Sequence, residues 1–338
     1  MKKVTAIIAA LIVLLASGLA AQENNAKPIN TITAQLPLHG RDCDSTQASS
    51  LRSSYLEERA CFRTKLIRRG PASGSQNQPT PPAGIETVTY ASGDLNLRAW
   101  FSVPDAARKR PAPALVFFHG GSEQNAFFVE QAKAFRDAGF VVLFPMLRGE
   151  NGNPGAWECL VGEIDDAAAA VSWIAAQPFV DPKRIYTYGH STGAAVSLLL
   201  SLRDDMPVRL GGSSAGLYTE DSLKKWTNAP FDIDDPRERR MRTPINFIQT
   251  MSHRHVTFVG RDEYSVERVA EFRRLSAGSQ LEIQDVDGDH MGCLQPALAQ
   301  FFEIVKSDAV TNQNGGSGVD AAPVAFPETR RAESEQYH

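Results

Sequence analysis

The chain has 338 residues, of which 42% are apolar and 22% are charged, so it is long and apolar enough to bury a large core. Its formal net charge of -4 gives no general excess of basic surface, which argues against nucleic acid as a partner.

The first residues are typical of a secretory leader. Lys2 and Lys3 precede the apolar stretch 4–16, and Gly18-Leu19-Ala20 supplies a small-residue cleavage site. This pattern predicts a signal peptide over 1–20, export to the periplasm or the outside of the cell, and no stable membrane anchor after cleavage. The alternative is an uncleaved anchor, although the apolar stretch is shorter than the ~20 residues that span a bilayer.

Residues 21–84 form an N-terminal segment with one predicted helix, 54–69, which we expect to pack on the domain that follows. The stretch 71–84 is rich in proline and glycine and is interpreted as a linker. A hairpin is predicted next, with strands 86–90 and 95–102 on either side of a turn.

From residue 114 onward, predicted strands alternate with predicted helices. The strands are 114–118, 141–144, 185–188, 256–260 and 281–283, and the helices are 129–138, 163–177, 193–202, 266–275 and 296–305. Alternation of this kind predicts the α/β class, with a mostly parallel central sheet and helices on both faces. We assign this domain to 85–306, with a cap or lid insertion over 216–242, and we expect 307–338 to be a disordered tail.

The sequence Gly189-His190-Ser191-Thr192-Gly193 lies between the strand 185–188 and the helix 193–202. G-x-S-x-G between a strand and a helix is typical of a nucleophile elbow, whose small residues allow a turn so sharp that the serine is exposed at the tip of a sheet. Ser191 is therefore the candidate nucleophile. An ordinary Gly-Ser turn is the alternative interpretation.

An oxyanion-binding loop is predicted where the strand 114–118 ends in His119-Gly120-Gly121-Ser122. Glycines there let backbone N–H groups of Gly121 or Ser122 point at a developing oxyanion. The second donor would be the N–H of Thr192, at a helix N-terminus that favours negative charge. The alternative is a tight turn that only leaves the strand.

Candidates for an acid and a base follow further along the chain. The strand 256–260 ends in Arg261-Asp262-Glu263, and His290 lies in the loop before the last predicted helix. We place Asp262 ahead of Glu263 as the acid, because aspartate is the more frequent partner of histidine in such sites. The spacing of Glu263 from Gly260 and to Val266, which is common in such loops, favours the other choice.

Two patterns resemble metal sites and are rejected. Residues 285–289 space three aspartates like the start of a calcium loop, but His290 replaces the required glycine and Pro296 replaces the final glutamate. His253-x-His255 lacks accompanying ligands. The sequence predicts neither a metal nor a cofactor.

Residues 85–305 resemble an α/β-hydrolase of the dienelactone hydrolase and prolyl oligopeptidase catalytic-domain type. Besides the elbow and His119-Gly120-Gly121, the resemblance rests on Arg148-Gly149 after the strand 141–144 and on Asp181-Pro182-Lys183-Arg184-Ile185 before the elbow. It implies Ser191 as nucleophile, His290 as base, Asp262 or Glu263 as acid, and backbone donors from Gly121 or Ser122 and from Thr192.

The resemblance implies an exported serine hydrolase that cleaves small-molecule carboxylic esters through an acyl-enzyme. One alternative is a serine peptidase that acts on short peptides, although peptidases of this type usually carry a large propeller domain, whereas here only 21–84 precedes the core. Another alternative is a non-catalytic binding protein on the same fold.

Export implies an oxidising compartment, so the four cysteines are candidates for disulfides. We expect Cys43 to pair with Cys61, because both lie in the N-terminal segment. Cys159 is expected to pair with Cys293, because in this fold both of their loops lie at the catalytic rim. The competing interpretation is four free thiols.

Overall fold

The computed structural model describes residues 53–72, 77–216, 219–224, 228–264 and 266–314. The predicted signal peptide and Cys43, half of the predicted Cys43–Cys61 pair, lie outside the described residues, so both remain predictions. Within the described ranges, no helix combines the length and apolarity needed to cross a bilayer.

A single sheet organises the described part of the chain. Its strands are β1 (Glu86–Ser92), β2 (Leu95–Ser102), β3 (Ala112–Phe118), β4 (Val141–Pro145), β5 (Val180–His190), β6 (Leu210–Ser214), β7 (His255–Gly260) and β8 (Leu281–Val286). They lie in the order β1-β2-β4-β3-β5-β6-β7-β8. β1 pairs with β2 and β2 with β4 in antiparallel fashion, and the remaining pairs are parallel. The predicted α/β class with a mostly parallel sheet is confirmed.

Helices cover the sheet on both faces. They are α1 (Tyr55–Cys61), α2 (Ala126–Gln131), α3 (Lys133–Asp137), α4 (Gly162–Ala175), α5 (Thr192–Ser201), α6 (Glu220–Leu223), α7 (Pro236–Arg242), α8 (Val266–Ser276) and α9 (Leu294–Asn314). Side chains of α4 and α5 belong to one apolar cluster, and side chains of α3 and α9 belong to a second. The sheet separates the two cores.

The central strands are almost wholly apolar because both of their faces are buried. Along β3, Val116 and Phe118 contribute to the cluster on the α4 and α5 face, whereas Leu115 and Phe117 contribute to the cluster on the α9 face. This alternation follows from the two-residue period of a strand. The parallel pairing of β3 with β5 places their carboxyl ends side by side, and the elbow follows directly after β5.

The predicted helix 54–69 is shorter in the structure. A capping box at Ser54 begins α1, which ends at Cys61. Beyond Cys61 the backbone forms hydrogen bonds with α7 and with the residues before it. The Lys65 N–H donates to the Glu238 carboxylate of α7 at 2.6 Å. The Ile67 N–H donates to the Pro230 carbonyl at 2.8 Å. These bonds replace the helical ones, and the segment after α1 continues as a non-helical stretch with a single bridge between Leu66 and Phe231.

The predicted disordered tail starts too early, because α9 continues through Asn314. The Asp308 carboxylate accepts a hydrogen bond from the Tyr186 hydroxyl at 2.7 Å and forms an ion pair with Arg209 at 2.9 Å. Tyr186 belongs to β5 and Arg209 directly precedes β6, so these contacts hold this part of α9 against the sheet. Residues 315–338 lie outside the described ranges.

The predicted cap segment 216–242 contains α6 and α7. In α7 the buried Arg242 guanidinium forms an ion pair with Glu238 at 2.5 Å and lies 3.6 Å from the centre of the Phe231 ring. Asp235 caps this helix and Pro236 occupies its first turn. The role of the segment as a lid over the site remains a prediction.

The predicted Cys159–Cys293 disulfide is wrong. Both cysteines are free and buried. Cys293 belongs to the apolar cluster on the α9 face, whereas Leu160 and Val161, which follow Cys159, belong to the cluster on the α4 face. The sheet lies between the two environments, so proximity of their loops to the rim does not bring the sulfurs together.

We expect Cys159 and Cys293 to remain thiols that react only after unfolding. Burial raises the pKa of Cys293 to about 12 and raises the pKa of Cys159 further. Alkylation without reductant, read by peptide mass spectrometry, should leave both unmodified in native protein and modify both in guanidinium. A Cys159–Cys293 cross-linked peptide after oxidising expression would contradict the structure.

Candidate active site

The elbow holds Ser191 in a strained conformation between β5 and α5. Its backbone angles are φ 55° and ψ −119°, which L residues rarely adopt. A Cβ atom at Gly189 would lie 1.9 Å from the Gly193 carbonyl oxygen, and one at Gly193 would lie 2.2 Å from the Phe118 oxygen. Both glycines are therefore required sterically, and the turn presents the Ser191 side chain at the carboxyl edge of the sheet.

Three side chains from separate loops form a continuous hydrogen-bond chain. The Ser191 hydroxyl lies 3.0 Å from His290 Nε2, and His290 Nδ1 donates to Glu263 Oε1 at 2.7 Å. The carboxylate fixes the imidazole tautomer that leaves Nε2 free to accept the serine proton. This is the arrangement of a nucleophile, a base and an orienting acid.

The structure places Glu263, and not the preferred Asp262, beside His290. Asp262 is exposed, and its backbone N–H donates to the Gly288 carbonyl at 3.2 Å, which continues the pairing of the β7 and β8 ends. A turn closed by the Glu263 N–H and the Gly260 carbonyl at 3.2 Å then brings Glu263 back toward the site. Its side chain is 8% exposed, whereas that of His290 is 49% exposed.

Two histidines of opposite character meet at the site. The hydrogen bond that His290 donates to Glu263 raises the pKa of His290 against the effect of burial, and the charges of Glu263 and Asp289 raise it further. The His190 ring lies 5.2 Å from the His290 ring, centre to centre. Burial and the neighbouring His290 lower the pKa of His190 to about 4, so His190 is neutral when His290 takes up a proton.

A cavity beside Ser191 joins the predicted oxyanion donors. It is small and partly open to solvent, and Gly121 and Thr192 both line it. Gly121 has a φ of 72°, a conformation that glycine adopts without strain. Thr192 begins α5, where the first N–H groups have no intrahelical partner. Ser122, the alternative to Gly121, is not among the lining residues.

Comparisons with known proteins agree with this architecture. A sequence model of the X-Pro dipeptidyl-peptidase (S15) family matches residues 93–216. An uncharacterized protein of Mycobacterium tuberculosis is 33% identical over 122 residues, which cover 36% of this chain and 42% of that protein. The uncharacterized peptidase YtmA of Bacillus subtilis is 24% identical over 143 residues, covering 42% and 52% of the two chains. The chain thus spans about half or less of these relatives.

Solved structures show the same fold at low sequence identity. The acylaminoacyl peptidase of Pyrococcus horikoshii superposes with a TM-score of 0.55 at 16% identity, over 70% of this chain and 43% of that one. An esterase of Pyrococcus furiosus superposes with a TM-score of 0.53 at 16% identity, over 72% and 98%. The chain has the fold of the α/β-hydrolase superfamily. The resemblance predicted from the sequence is confirmed at this level.

Two further motifs support the α/β-hydrolase fold around the site. The Arg148 guanidinium donates to the Asp166 carboxylate at 2.7 and 2.8 Å, which ties the loop after β4 to α4. Asp181 accepts from the Lys183 N–H at 3.0 Å and from the Arg184 side chain at 2.7 Å. This turn sets the start of the long run of β5 that leads to the elbow.

The two histidines of His253-x-His255 do not form a ligand pair in this α/β-hydrolase fold. His255 is buried, and its two ring nitrogens lie 2.8 Å from the Ser201 and Ser213 hydroxyls. Over the described ranges, no cluster of three or more His, Cys, Asp or Glu side chains is arranged to hold a metal.

Sequence reasoning did not assign roles to His190 and Glu150. His190 occupies the variable position of the elbow, and its Nδ1 lies 2.9 Å from the Ser214 hydroxyl. Glu150 follows Arg148-Gly149 and contacts His119 of the oxyanion loop. The only signal for either was its place next to a motif, because their partners come from distant parts of the chain.

Proposed function

We propose that this protein is an exported serine hydrolase that cleaves small-molecule carboxylic esters through an acyl-enzyme. The observation that carries the proposal is the chain from Ser191 through His290 to Glu263, with contacts of 3.0 and 2.7 Å. A strained serine at the elbow and a cavity lined by two backbone donors support the same chemistry. Export is supported by the leader-like pattern over 1–20.

The mechanism follows from the positions of these atoms. His290 Nε2 accepts the hydroxyl proton while Ser191 Oγ attacks the ester carbonyl carbon, and Glu263 stabilises the resulting imidazolium. The N–H groups of Gly121 and Thr192 bind the tetrahedral oxyanion. The C–O bond to the alcohol then breaks, and His290 returns the proton to the leaving oxygen. A water molecule, activated by the same imidazole, hydrolyses the acyl-enzyme.

An ester is the less demanding substrate, because an alcohol leaves more readily than an amine. Because the His290 side chain is half-exposed, the side of the site where the alcohol departs is open to solvent and can accept alcohols of different sizes. Cleavage of short peptides is the second candidate. It is supported by the S15 peptidase match over 93–216, a range that contains both the oxyanion loop and the elbow.

A substrate panel separates these candidates. We would compare p-nitrophenyl acetate, butyrate and octanoate with Gly-Pro-p-nitroanilide, subtracting the rate of Ser191→Ala as background. The proposal predicts kcat/KM for the best ester well above that for the anilide. A higher kcat/KM for the anilide would show that the protein is a peptidase. Absence of turnover with both the esters and the anilide would favour a non-catalytic binding protein.

Ester turnover should be lost at acid pH with the titration of His290. The base acts only when neutral, and its pKa is raised above the ordinary value of 6.5. We therefore expect kcat/KM to fall as pH decreases through a midpoint above that value. A pH series with p-nitrophenyl acetate measures the midpoint. A profile that stays flat down to pH 5 would exclude His290 as the base.

A further inference from the structure

A buried pair of ionisable side chains, His119 and Glu150, lies beside the oxyanion loop. His119 Nε2 lies 3.0 Å from Glu150 Oε2, and each side chain is only 4% exposed. The same carboxylate oxygen accepts a hydrogen bond from the Leu147 N–H at 3.0 Å. Burying two charges costs solvation, so apolar residues of similar volume would serve stability equally well or better. Stability alone therefore does not account for a histidine and a glutamate at these two buried positions.

The position of the pair next to the oxyanion loop indicates a role in catalysis. His119 is the first residue of the oxyanion loop, and its Nδ1 lies 3.2 Å from the Gly120 carbonyl oxygen. His119 and Glu150 line the same cavity as Gly121 and Thr192. The imidazole is thus fixed between the loop after β4 and the backbone that presents an oxyanion donor.

The surroundings favour a positive charge on this imidazole. Burial opposes protonation of His119, but the charge and hydrogen bond of Glu150, together with the hydrogen bond to the Gly120 carbonyl and the charge of Glu123, raise its pKa above the ordinary value. Tyr90 of β1 interacts with Glu150, and burial raises its pKa so far that it stays neutral. From α2, the apolar Phe128 ring lies 6.0 Å from the His119 ring.

We propose that Glu150 is a positioning residue for catalysis. By holding His119 as an imidazolium against the oxyanion loop, it fixes the Gly121 N–H toward the developing charge and places a positive group beside it. This inference rests on the proposed acyl transfer at Ser191. Preorganised charge of this kind acts mainly on the transition state, so it should affect kcat more than KM.

The test compares Glu150→Gln with wild type in ester turnover over a range of pH. Wild-type kcat should fall as pH rises through the His119 pKa, because Glu150 is then left as an uncompensated negative charge near the oxyanion. In Glu150→Gln we expect kcat at neutral pH to drop by about tenfold or more, with KM within about twofold. The alkaline fall should disappear, because burial then keeps His119 neutral throughout.

A matched control is Asp205→Asn, which removes one of the two carboxylates, Asp205 and Asp165, that pair with buried Arg203 beyond the C-terminal end of α5. Its kcat and pH profile should match those of wild type. A trifluoromethyl ketone, which forms a tetrahedral oxyanion on the nucleophilic serine, should bind Glu150→Gln about tenfold more weakly. Unchanged kcat, or a lower kcat with the wild-type alkaline fall, would overturn the proposal.

His119→Gln and the double variant complete the cycle. If the two side chains act as one unit, the double variant should be no slower than either single variant. Additive losses would overturn the proposal. Should Glu150→Gln fail to fold, by thermal unfolding, His119→Gln decides through the same kcat and pH criteria. Failure of the proposed function itself would appear separately, as absent turnover in wild type.

Discussion

Replacing Ser191 by alanine is expected to lower ester turnover by about five to six orders of magnitude while leaving the fold unchanged. The reason is that the Ser191 hydroxyl is the attacking atom, 3.0 Å from His290 Nε2. Alanine removes only that oxygen. It retains the Cβ atom already accommodated at φ 55°. The measurement is kcat/KM for a p-nitrophenyl ester, with thermal unfolding to verify the fold.

The control for this prediction is Ser252→Ala. The Ser252 hydroxyl only donates to the Leu202 carbonyl at 3.4 Å, at the end of α5 remote from Ser191. Its turnover should stay within about twofold of wild type, because losing one long hydrogen bond at a half-buried position remote from the site should change little there. Turnover near the wild-type value in Ser191→Ala would contradict the mechanism, because Ser191 would then not be the nucleophile.

Glu263→Gln should be the second most damaging substitution, with a loss of about 10⁴-fold in kcat. The amide preserves the shape of the side chain, but it no longer stabilises the imidazolium and can impose the wrong tautomer on His290. Glu263 Oε1 now accepts from His290 Nδ1 at 2.7 Å, so the change acts directly on the base. Steady-state kinetics at the pH optimum measures it.

Asp262→Asn is the matched control, since the two acids are adjacent and each variant loses one charge. Asp262 is exposed, so its variant should retain nearly full kcat. The reverse pattern, with Asp262→Asn crippled and Glu263→Gln near normal, would restore the order of preference derived from the sequence. Two near-normal variants would place the acid elsewhere.

The sequence predicted the fold class, and it located the strand-elbow-helix unit around Ser191, because both depend on local patterns. A buried strand followed by G-x-S-x-G and an apolar helix leaves little conformational freedom at Ser191. The alternation of strands and helices similarly requires a covered parallel sheet. The order of the strands, in which β4 lies between β2 and β3, could not be predicted in the same way, because it depends on pairing between segments distant in the chain.

The acid could not be chosen from the sequence because the choice depends on one turn. Residue-type frequency favoured Asp262, but the ladder between the β7 and β8 ends holds Asp262 outward and the following turn brings Glu263 inward. A difference of one residue in the end of a strand exchanges the two side chains. The spacings of Glu263 from Gly260 and to Val266 were the sequence signals in its favour.

The wrong cysteine pairing had a different cause. Both cysteines lie in loops near the same rim, and loop order says nothing about which face of the sheet each side chain enters. Cys293 enters the cluster on the α9 face, while the residues after Cys159 enter the opposite one. The length of α9 was likewise hidden, because its extension depends on Asp308 bonding to Tyr186 and Arg209, far away in sequence.

The most direct test of the account is labelling with a fluorophosphonate followed by peptide mass spectrometry. Such a probe reacts only with a serine whose hydroxyl is activated by a base. We expect one adduct, located on Ser191, formed rapidly in wild type, slowly in Glu263→Gln and not in Ser191→Ala. An unlabelled wild-type protein, or an adduct on another residue with Ser191 unmodified, would contradict it.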